Sequence, residues 1–350
     1  MPEPPVSELE IPTLSAVLDP VELRRHLAPL LDRIGADRIG DGAWCGGGTA
    51  EALETRILKA HRGSRCTVDI ALLTASGWRH WIGKVYARDR SDVFLAMQRI
   101  ERAGFGPEQE SSIPQALAFI PALNLVVQEK VDGPLARELF VTGNEQQRIQ
   151  TATRCARWLA SFHALAPRTG PLLDLQALLA SMANWARSIA ALGETLADKA
   201  ARLLEWLQAK AGAGKRTPLY AGPVCAGHGS YSPAQVILAA GRTVAFDWDG
   251  FDIADPARDA ARFLTALRRL ALGRLGSIRA LDTSAAAFRS AYLAAGSPDA
   301  AANLRFYQVG ACLQLAKYNV VHRVPQWREK LEALLDEGLQ LSEGAKCSGR

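Results

Sequence analysis

From Cys66 onward apolar and polar residues alternate one by one, with Val68, Ile70 and Leu72 interleaved with Thr67, Asp69 and Ala71. A period of two belongs to a β-strand, whose successive side chains point to opposite faces. The preceding run Arg56 to His61 meets this one across Arg62-Gly63-Ser64-Arg65, so the pair predicts a β-hairpin. A second turn at Ser76-Gly77 leads to a third strand, Trp81 to Ala87, with Lys84 at its middle on the face of Ile82 and Tyr86. A lysine in an apolar strand ordinarily snorkels out at a sheet edge. Helical spacing takes over from about Asp92 to Arg102, where Phe94, Met97 and Ile100 point inward.

Residues 1–18 read as a flexible tail ahead of a helix start at Asp19-Pro20-Val21-Glu22: an acid to cap, a proline at the first helical position and a glutamate three after the cap. Leu23, Leu27, Leu30 and Leu31 form that helix's apolar face, and Gly46-Gly47-Gly48 reads as a flexible connection before the first strand. Further on, the run Leu123 to Val127 reads as a strand closed by an Asp132-Gly133 turn. Residues 145–165 read as a helix carrying His163, a packed core histidine, and 173–212 as two more helices. The loop Ala211 to Arg216 has neither the spacing nor the strand-to-helix setting of a phosphate-binding lysine loop. From Pro256 to about Ser342 the chain reads as helical, and no internal repeat is evident.

Composition narrows the class. With 350 residues, 48% hydrophobic and 22% charged, the chain can bury a large core. Its net charge of +5, from 41 basic and 36 acidic residues, carries no long Lys/Arg block, which sets nucleic-acid binding aside. Six cysteines lie far apart, with no Cys-x-x-Cys pair, and read as free thiols of a reducing compartment. The start Met1-Pro2-Glu3-Pro4-Pro5 is unlike a signal peptide and no apolar run approaches a membrane span, so the expectation is a cytoplasmic protein without a membrane partner.

The chemistry concentrates in residues 228–259. His228-Gly229-Ser230 is followed by Gln235, a short hairpin, Asp247-Trp248-Asp249-Gly250, and then Asp255-Pro256 and Asp259. Kinase-type phosphoryl transfer uses a carboxylate beside the acceptor hydroxyl, an amide on the metal and a second carboxylate on Mg²⁺. The segment resembles the aminoglycoside phosphotransferase and choline kinase-like family, whose loop runs His-Gly-Asp-x-x-x-x-Asn and whose metal-binding strand ends in Ile-Asp-Trp. His228, Gly229, Asp247 and Trp248 match that pattern. Ser230 stands in place of the catalytic Asp, and Gln235 in place of the metal-binding Asn.

The resemblance covers residues 56 to about 342 and implies an α+β, two-lobed, protein-kinase-like fold: a small antiparallel β N-lobe over 19–128 and a large helical C-lobe over 129–345. It also implies ATP and Mg²⁺ as cofactors. Lys84 would hold the α/β-phosphates with Arg62 or Arg65 from the first turn, and the stretch through Glu129 and Val131 would be the hinge that binds adenine. Asp92 and Glu101 both offer a carboxylate to Lys84. Asp247 would be the main metal ligand and Gln235 the second.

A serine hydroxyl cannot accept a proton near neutral pH, so the loop looks suited to metal-nucleotide and poorly suited to activating an acceptor. Asp249, or Asp252 beyond it, would be a relocated base; the bland reading of both is a solvated loop acid. Asp255 reads as the cap of the helix beginning at Pro256. Two functions remain open: a small-molecule phosphotransferase with an atypical base, or a non-catalytic, pseudokinase-like nucleotide-binding sensor or scaffold acting on a protein partner. Between Gly170 and Pro218 there are four acids and six bases, and Arg262, Arg268 and Arg269 follow. That balance favours a neutral or anionic acceptor over a polycation.

Overall fold

The computed structural model of the chain describes residues 6–30, 53–74, 77–212, 222–296 and 300–344. Cys45, Cys347, Leu31, Gly46-Gly47-Gly48 and most of the loop after Ala211 lie outside the described residues. The architecture is mixed α and β, and the chain divides into two compact units: Met1–Glu108 with Ile113–Asp132, and Gln109–Ser112 with Gly133–Arg350.

The first unit is built on an antiparallel sheet of order β1-β2-β3-β6-β5. Its strands are β1 (Leu53–His61), β2 (Arg65–Thr74), β3 (Gly77–Tyr86), β5 (Ala116–Ile120) and β6 (Leu125–Glu129). β4 (Ser111–Ser112) belongs to the second unit, where it pairs in parallel with Thr243 and Val244. The alternating run of β2 lies between two neighbours, and Asp69, one of its polar positions, is nonetheless buried. Lys130 Nζ at 3.0 Å and His80 Nδ1 at 3.2 Å pair with its carboxylate. β5 escapes a period-based reading because Ala116-Leu117-Ala118-Phe119-Ile120 is apolar at every position.

The expectation of a flexible tail over 1–18 is corrected for the part described. Residues Val6–Leu9 form a 3₁₀ turn and Leu14–Leu18 a short helix, α1, and Leu9, Ile11, Leu14 and Val17 are buried with the apolar side chains of the sheet. Removing four apolar side chains from water stabilises each by about 1.5–3 kcal/mol, enough to hold a short segment of little intrinsic helicity. Thr13 Oγ1 also donates to the Leu123 carbonyl at 2.6 Å. The next helix, α2 (Pro20–Leu27), starts as its sequence dictates: Asp19 accepts from the amides of Val21 at 2.8 Å and Glu22 at 3.3 Å. The helix after the third strand, α3 (Ser91–Ile100), buries Val93, Ala96, Met97 and Ile100, while Phe94 stacks on Phe119 at 6.4 Å.

The second unit is mostly helical: α4 (Ala136–Thr142), α5 (Glu145–Leu165), α6 (Leu175–Ala190), α7 (Glu194–Gly212), α8 (Ala257–Leu275), α9 (Asp282–Ala295), α10 (Ala300–Val321) and α11 (Trp327–Glu343). Two small sheets interrupt them, β7 (Cys225–Gly227) with β10 (Asp252–Ala254), and β4 with the hairpin β8 (Val236–Ala239) and β9 (Arg242–Ala245). The core is an aromatic ladder: Trp158 to Tyr231 at 5.4 Å, Tyr231 to Phe263 at 5.4 Å and Phe263 to Phe288 at 4.1 Å between ring centroids. Tyr231 sits beside Ser230, and its hydroxyl donates to the Cys155 carbonyl at 2.8 Å, so the loop is pinned to α5. Among the described residues no helix is long and apolar enough to cross a membrane.

Candidate functional site

The loop after β7 is held from below by a carboxylate. Asp259, in the first turn of α8, accepts from the amides of His228 at 2.6 Å and Gly229 at 3.1 Å, and it is only 2% exposed. Burial works against its ionisation, but the His163 imidazole, with Nε2 3.7 Å away, and the Arg258 guanidinium outweigh that and hold the carboxyl below its ordinary range. His163 Nδ1 lies 2.8 Å from the Tyr292 hydroxyl, so this histidine is packed in the core, as its helix position suggests. Gly229 has φ +79°, and a Cβ there would collide with the Gly250 carbonyl. Only glycine lets the loop approach the 248–250 turn so closely.

His228 is fully buried, and Nε2 lies 3.0 Å from the Phe246 carbonyl. A carbonyl only accepts, so Nε2 carries the proton and Nδ1 is left as an acceptor. Burial pushes the ring's pKa down, against the pull of Asp259 and Asp247, which favours this neutral form. Ser230 Oγ lies 3.3 Å from Nδ1 and accepts from Gln235 Nε2 at 3.0 Å. The same nitrogen is 3.4 Å from Asp247 Oδ2, and Gln235 Oε1 accepts from Ser232 Oγ at 2.7 Å. Ser230, Gln235 and Asp247 are thus brought together. The amide presents its nitrogen to Asp247, so ligating a cation would require Gln235 to turn its carbonyl over.

Asp247 has φ 74° and ψ 61°, a left-handed conformation that is costly for a residue with a Cβ. It holds the carboxylate at the end of β9, before the 3₁₀ turn Trp248–Gly250. Asp249 in that turn is half-buried, with Oδ2 shut off from solvent. Asp252 is not a solvated loop acid: Arg258 grips it bidentately, at 2.5 Å and 2.7 Å, and only 9% of the residue is exposed. Burial raises its pKa while Arg258 opposes the shift, and this engagement removes it as a candidate base. Asp255 caps α8 through the Ala257 amide at 2.8 Å and accepts from Asn303 Nδ2 at 2.5 Å.

In the first unit, Lys84 is 5% exposed and pairs in register with Thr67 of β2 and Val126 of β6. It lies inside the sheet and not at its edge. The neighbouring Gly83 leaves no room for a side chain: a Cβ would lie 2.8 Å from Val68 Cγ2 and 2.9 Å from Ile70 Cδ1. Arg62 is exposed and paired with Glu10, and the Gly63 amide donates to Leu9 O at 2.8 Å, so the first turn is fastened to the N-terminal segment. Arg65 opens β2 opposite Tyr86. Glu129 closes β6, with its amide on Gln115 O at 2.9 Å and its carboxylate accepting from the Gln115 amide at 3.1 Å; Val131 follows, half-buried. Of the two acids considered for Lys84, Asp92 is tied to Arg90 at 2.9 Å, and Glu101 is half-buried beside Gln115 and Ala116, its pKa raised by burial.

Sequence reasoning quoted Asp259 without giving it a role. Its signal was the four-residue spacing from Asp255, which puts a capping acid and a buried acid on one side of the first turn of α8. Among the described residues no group of three or more His, Cys, Asp or Glu is placed to hold a metal ion. The local donors fit Mg²⁺ in the mode that uses one or two protein oxygens and leaves the rest to water and phosphate.

No curated protein matches the chain. Among solved structures, a choline/ethanolamine kinase family protein from Mesorhizobium loti superimposes with a TM-score of 0.54 at 15% identity, covering 92% of this chain and 95% of that one. A choline kinase from Cryptosporidium parvum gives 0.56 at 11% identity, covering 85% and 90%. A thermostable mutant of the aminoglycoside phosphotransferase APH(4)-Ia gives 0.54 at 14% identity, covering 84% and 96%. At these identities the likeness is one of fold. The family model of the phosphotransferase enzyme family matches residues 69–307, about two thirds of the sequence and all of the loop from His228 to Asp259, and the chain belongs to that family.

Proposed function

We propose that the protein transfers the γ-phosphoryl group of ATP to a hydroxyl of a small molecule, slowly, with Mg²⁺ as the metal. The observation that carries this reading is the loop from His228 to Gln235, tethered by Asp259, with Gln235 bridging Ser230 and Asp247. Lys84 would bind the α/β-phosphates, with Arg65 and Arg62 at the first turn adding charge-assisted bonds, and the backbone about Glu129 and Val131 would take the adenine. Asp247 would hold the metal with Gln235 as the weaker ligand; bound there, Mg²⁺ supplies charge neutralisation of the phosphates. Ser230 would orient the acceptor hydroxyl without deprotonating it, and Asp249 is the nearest remaining carboxylate in sequence for a relocated base. A non-catalytic nucleotide-binding role is the second reading, favoured by the serine at position 230.

Two measurements separate these. ATP with Mg²⁺ at 100 times its dissociation constant adds about 2.7 kcal/mol of stability, so the melting temperature should rise, and less so in Lys84→Ala and Asp247→Ala. No shift in the wild type refutes nucleotide binding. Ser230→Asp should raise phosphotransfer or background ATP hydrolysis by at least about tenfold, inside the 10²–10⁴ range of a general base. A relocated base predicts little gain there and a large loss in Asp249→Asn. Silence of all these variants across acceptors, with ATP still bound, establishes the sensor reading.

A further inference from the structure

Within the second unit, a cavity of about 330 Å³ opens beside the loop that carries Ser230. Its floor is residues 232–234 of that loop, and its wall is the face of α8 that presents Arg269, Gly273 and Arg274. Arg137 from α4 and Lys330 from α11 complete the charged lining, which contains no acid. We propose that this cavity binds an oxyanion of the acceptor, so that the substrate is a hydroxyl compound bearing a phosphate or carboxylate group. This rests on the phosphotransferase reading above and narrows it.

Four features point the same way. Among the described residues none of the four cations is paired with a carboxylate. Lys330 Nζ donates to the Pro325 carbonyl at 2.8 Å; Arg269 gives Nε to Asn319 Oδ1 at 3.2 Å and lies 4.5 Å over the Tyr318 ring. Cations gathered round one small space repel each other unless an anion joins them. Second, Asn319 lines the cavity and is only 1% exposed, and its Oδ1 accepts from Arg269 Nε, so a buried amide and not a carboxylate holds that guanidinium in place with its charge uncancelled. Third, the volume sits at the small end of the ~300–1,000 Å³ found for ligand pockets, the size of a metabolite. Fourth, Ser232 lines the cavity, and its hydroxyl donates to Gln235, which holds Ser230 Oγ at 3.0 Å. An anion bound here therefore lies beside the loop that would receive the reacting hydroxyl.

The helix also supplies a clean probe. A Cβ built on Gly273 meets no atom within 4 Å, so Gly273→Leu grows a side chain into open space and replaces a poor helix former with a good one. The experiment titrates glycerol 3-phosphate, glycerate and inorganic phosphate calorimetrically into the wild type, Arg269→Gln, Arg274→Gln and Gly273→Leu. In parallel, ADP release is compared with glycerol, glycerol 3-phosphate and glycerate as acceptors. Binding of an anionic ligand that weakens at least about tenfold in Arg269→Gln and Arg274→Gln, as the loss of a charge-assisted bond predicts, and also in Gly273→Leu, whose side chain takes up space on the cavity wall, with turnover preferring an anionic acceptor over glycerol, supports the assignment. The phosphate ester and glycerate arms distinguish the two anion types. Absence of anion binding, or equal binding in all variants, overturns it. The melting shift with ATP and Mg²⁺, read on the same samples, separates the failures. If that shift is present and anion binding is absent, the acceptor inference falls and the nucleotide reading stands. If anion binding persists without any ATP shift, the cavity is an anion site alone and the acceptor assignment is overturned.

Discussion

Asp259→Asn tests whether the loop is organised by a buried charge. The wild-type carboxylate accepts two backbone amides, at 2.6 Å and 3.1 Å, and lies in the charge field of Arg258 and His163. An asparagine can accept one of those amides through Oδ1, but its Nδ2 would then face the other, leaving donor against donor. One buried unmet donor costs about 1–3 kcal/mol, and removing one partner of a buried charge group costs about 3–5 kcal/mol in all. The two figures overlap, so roughly 3–5 kcal/mol is expected. At about 2–4 °C per kcal/mol for a unit of this size, that is a fall of roughly 6–20 °C in melting temperature. The pH dependence has a definite sign. The folded carboxyl is depressed below the unfolded value of about 3.9, so its contribution is present above that pH and is lost as pH falls through the lower folded pKa. The gap between wild type and variant should therefore be constant from about pH 5 to 8 and narrow below about pH 4. Thermal melts by circular dichroism across this range decide it. A variant within 1–2 °C of wild type at neutral pH, well inside the span expected per kcal/mol, refutes the charge tether.

Gly229→Ala and Gly276→Ala share a left-handed backbone, at φ +79° and +78°, but only the first meets a neighbour, the Gly250 carbonyl. Gly276→Ala should lose about 1–2 kcal/mol from conformation alone and Gly229→Ala clearly more, as read by urea unfolding; equal losses refute the close approach. Leu14→Ala should cost about 2–5 kcal/mol, visible as a lower urea midpoint, whereas a true tail residue would cost nothing measurable. Cys66, Cys155, Cys225 and Cys312 are buried free thiols, and burial pushes Cys155 up to about 12. Labelling at pH 8 with a thiol reagent, followed by peptide mapping, should leave all four unmodified until the chain is unfolded.

The hairpin of β1 and β2 was legible because polar and apolar residues alternate along β2 and a Gly-Ser turn precedes it, and the helix at Asp19 because its start is written within the four residues Asp19 to Glu22. β5 was not, since a strand without alternation carries no period. Residues 6–18 were misread for a different reason: Leu9, Ile11, Leu14 and Val17 become one buried surface only when the sheet is there to cover them. In the candidate site, the resemblance singled out Ser230, Gln235 and Asp247, and in the fold the Gln235 amide lies 3.0 Å from Ser230 Oγ and 3.4 Å from Asp247 Oδ2. It could not foresee that Arg258 removes Asp252 from the candidate bases, because a bidentate pair depends on side-chain geometry and not on spacing.

Charge was the least legible property, and the reason bears on substrate choice. A count of bases treats all of them as free. In the folded chain Lys199 is bound by Glu332 and Asp336, Arg202 by Glu343, and Arg268 by Asp282 and Glu337. Arg262 is half-buried and donates to Gln314, its pKa lowered by burial. These groups contribute little field to a ligand, since each is cancelled or shielded. Among the described residues of that count Arg269 alone faces the cavity, and it is joined there by Arg137, Arg274 and Lys330, which lie outside the stretches counted. The proposed preference for an anionic acceptor therefore rests on which cations the fold leaves without an acid among the described residues, and a chain of the same net charge with an acid at position 274 would cancel part of that field where the count would register no difference.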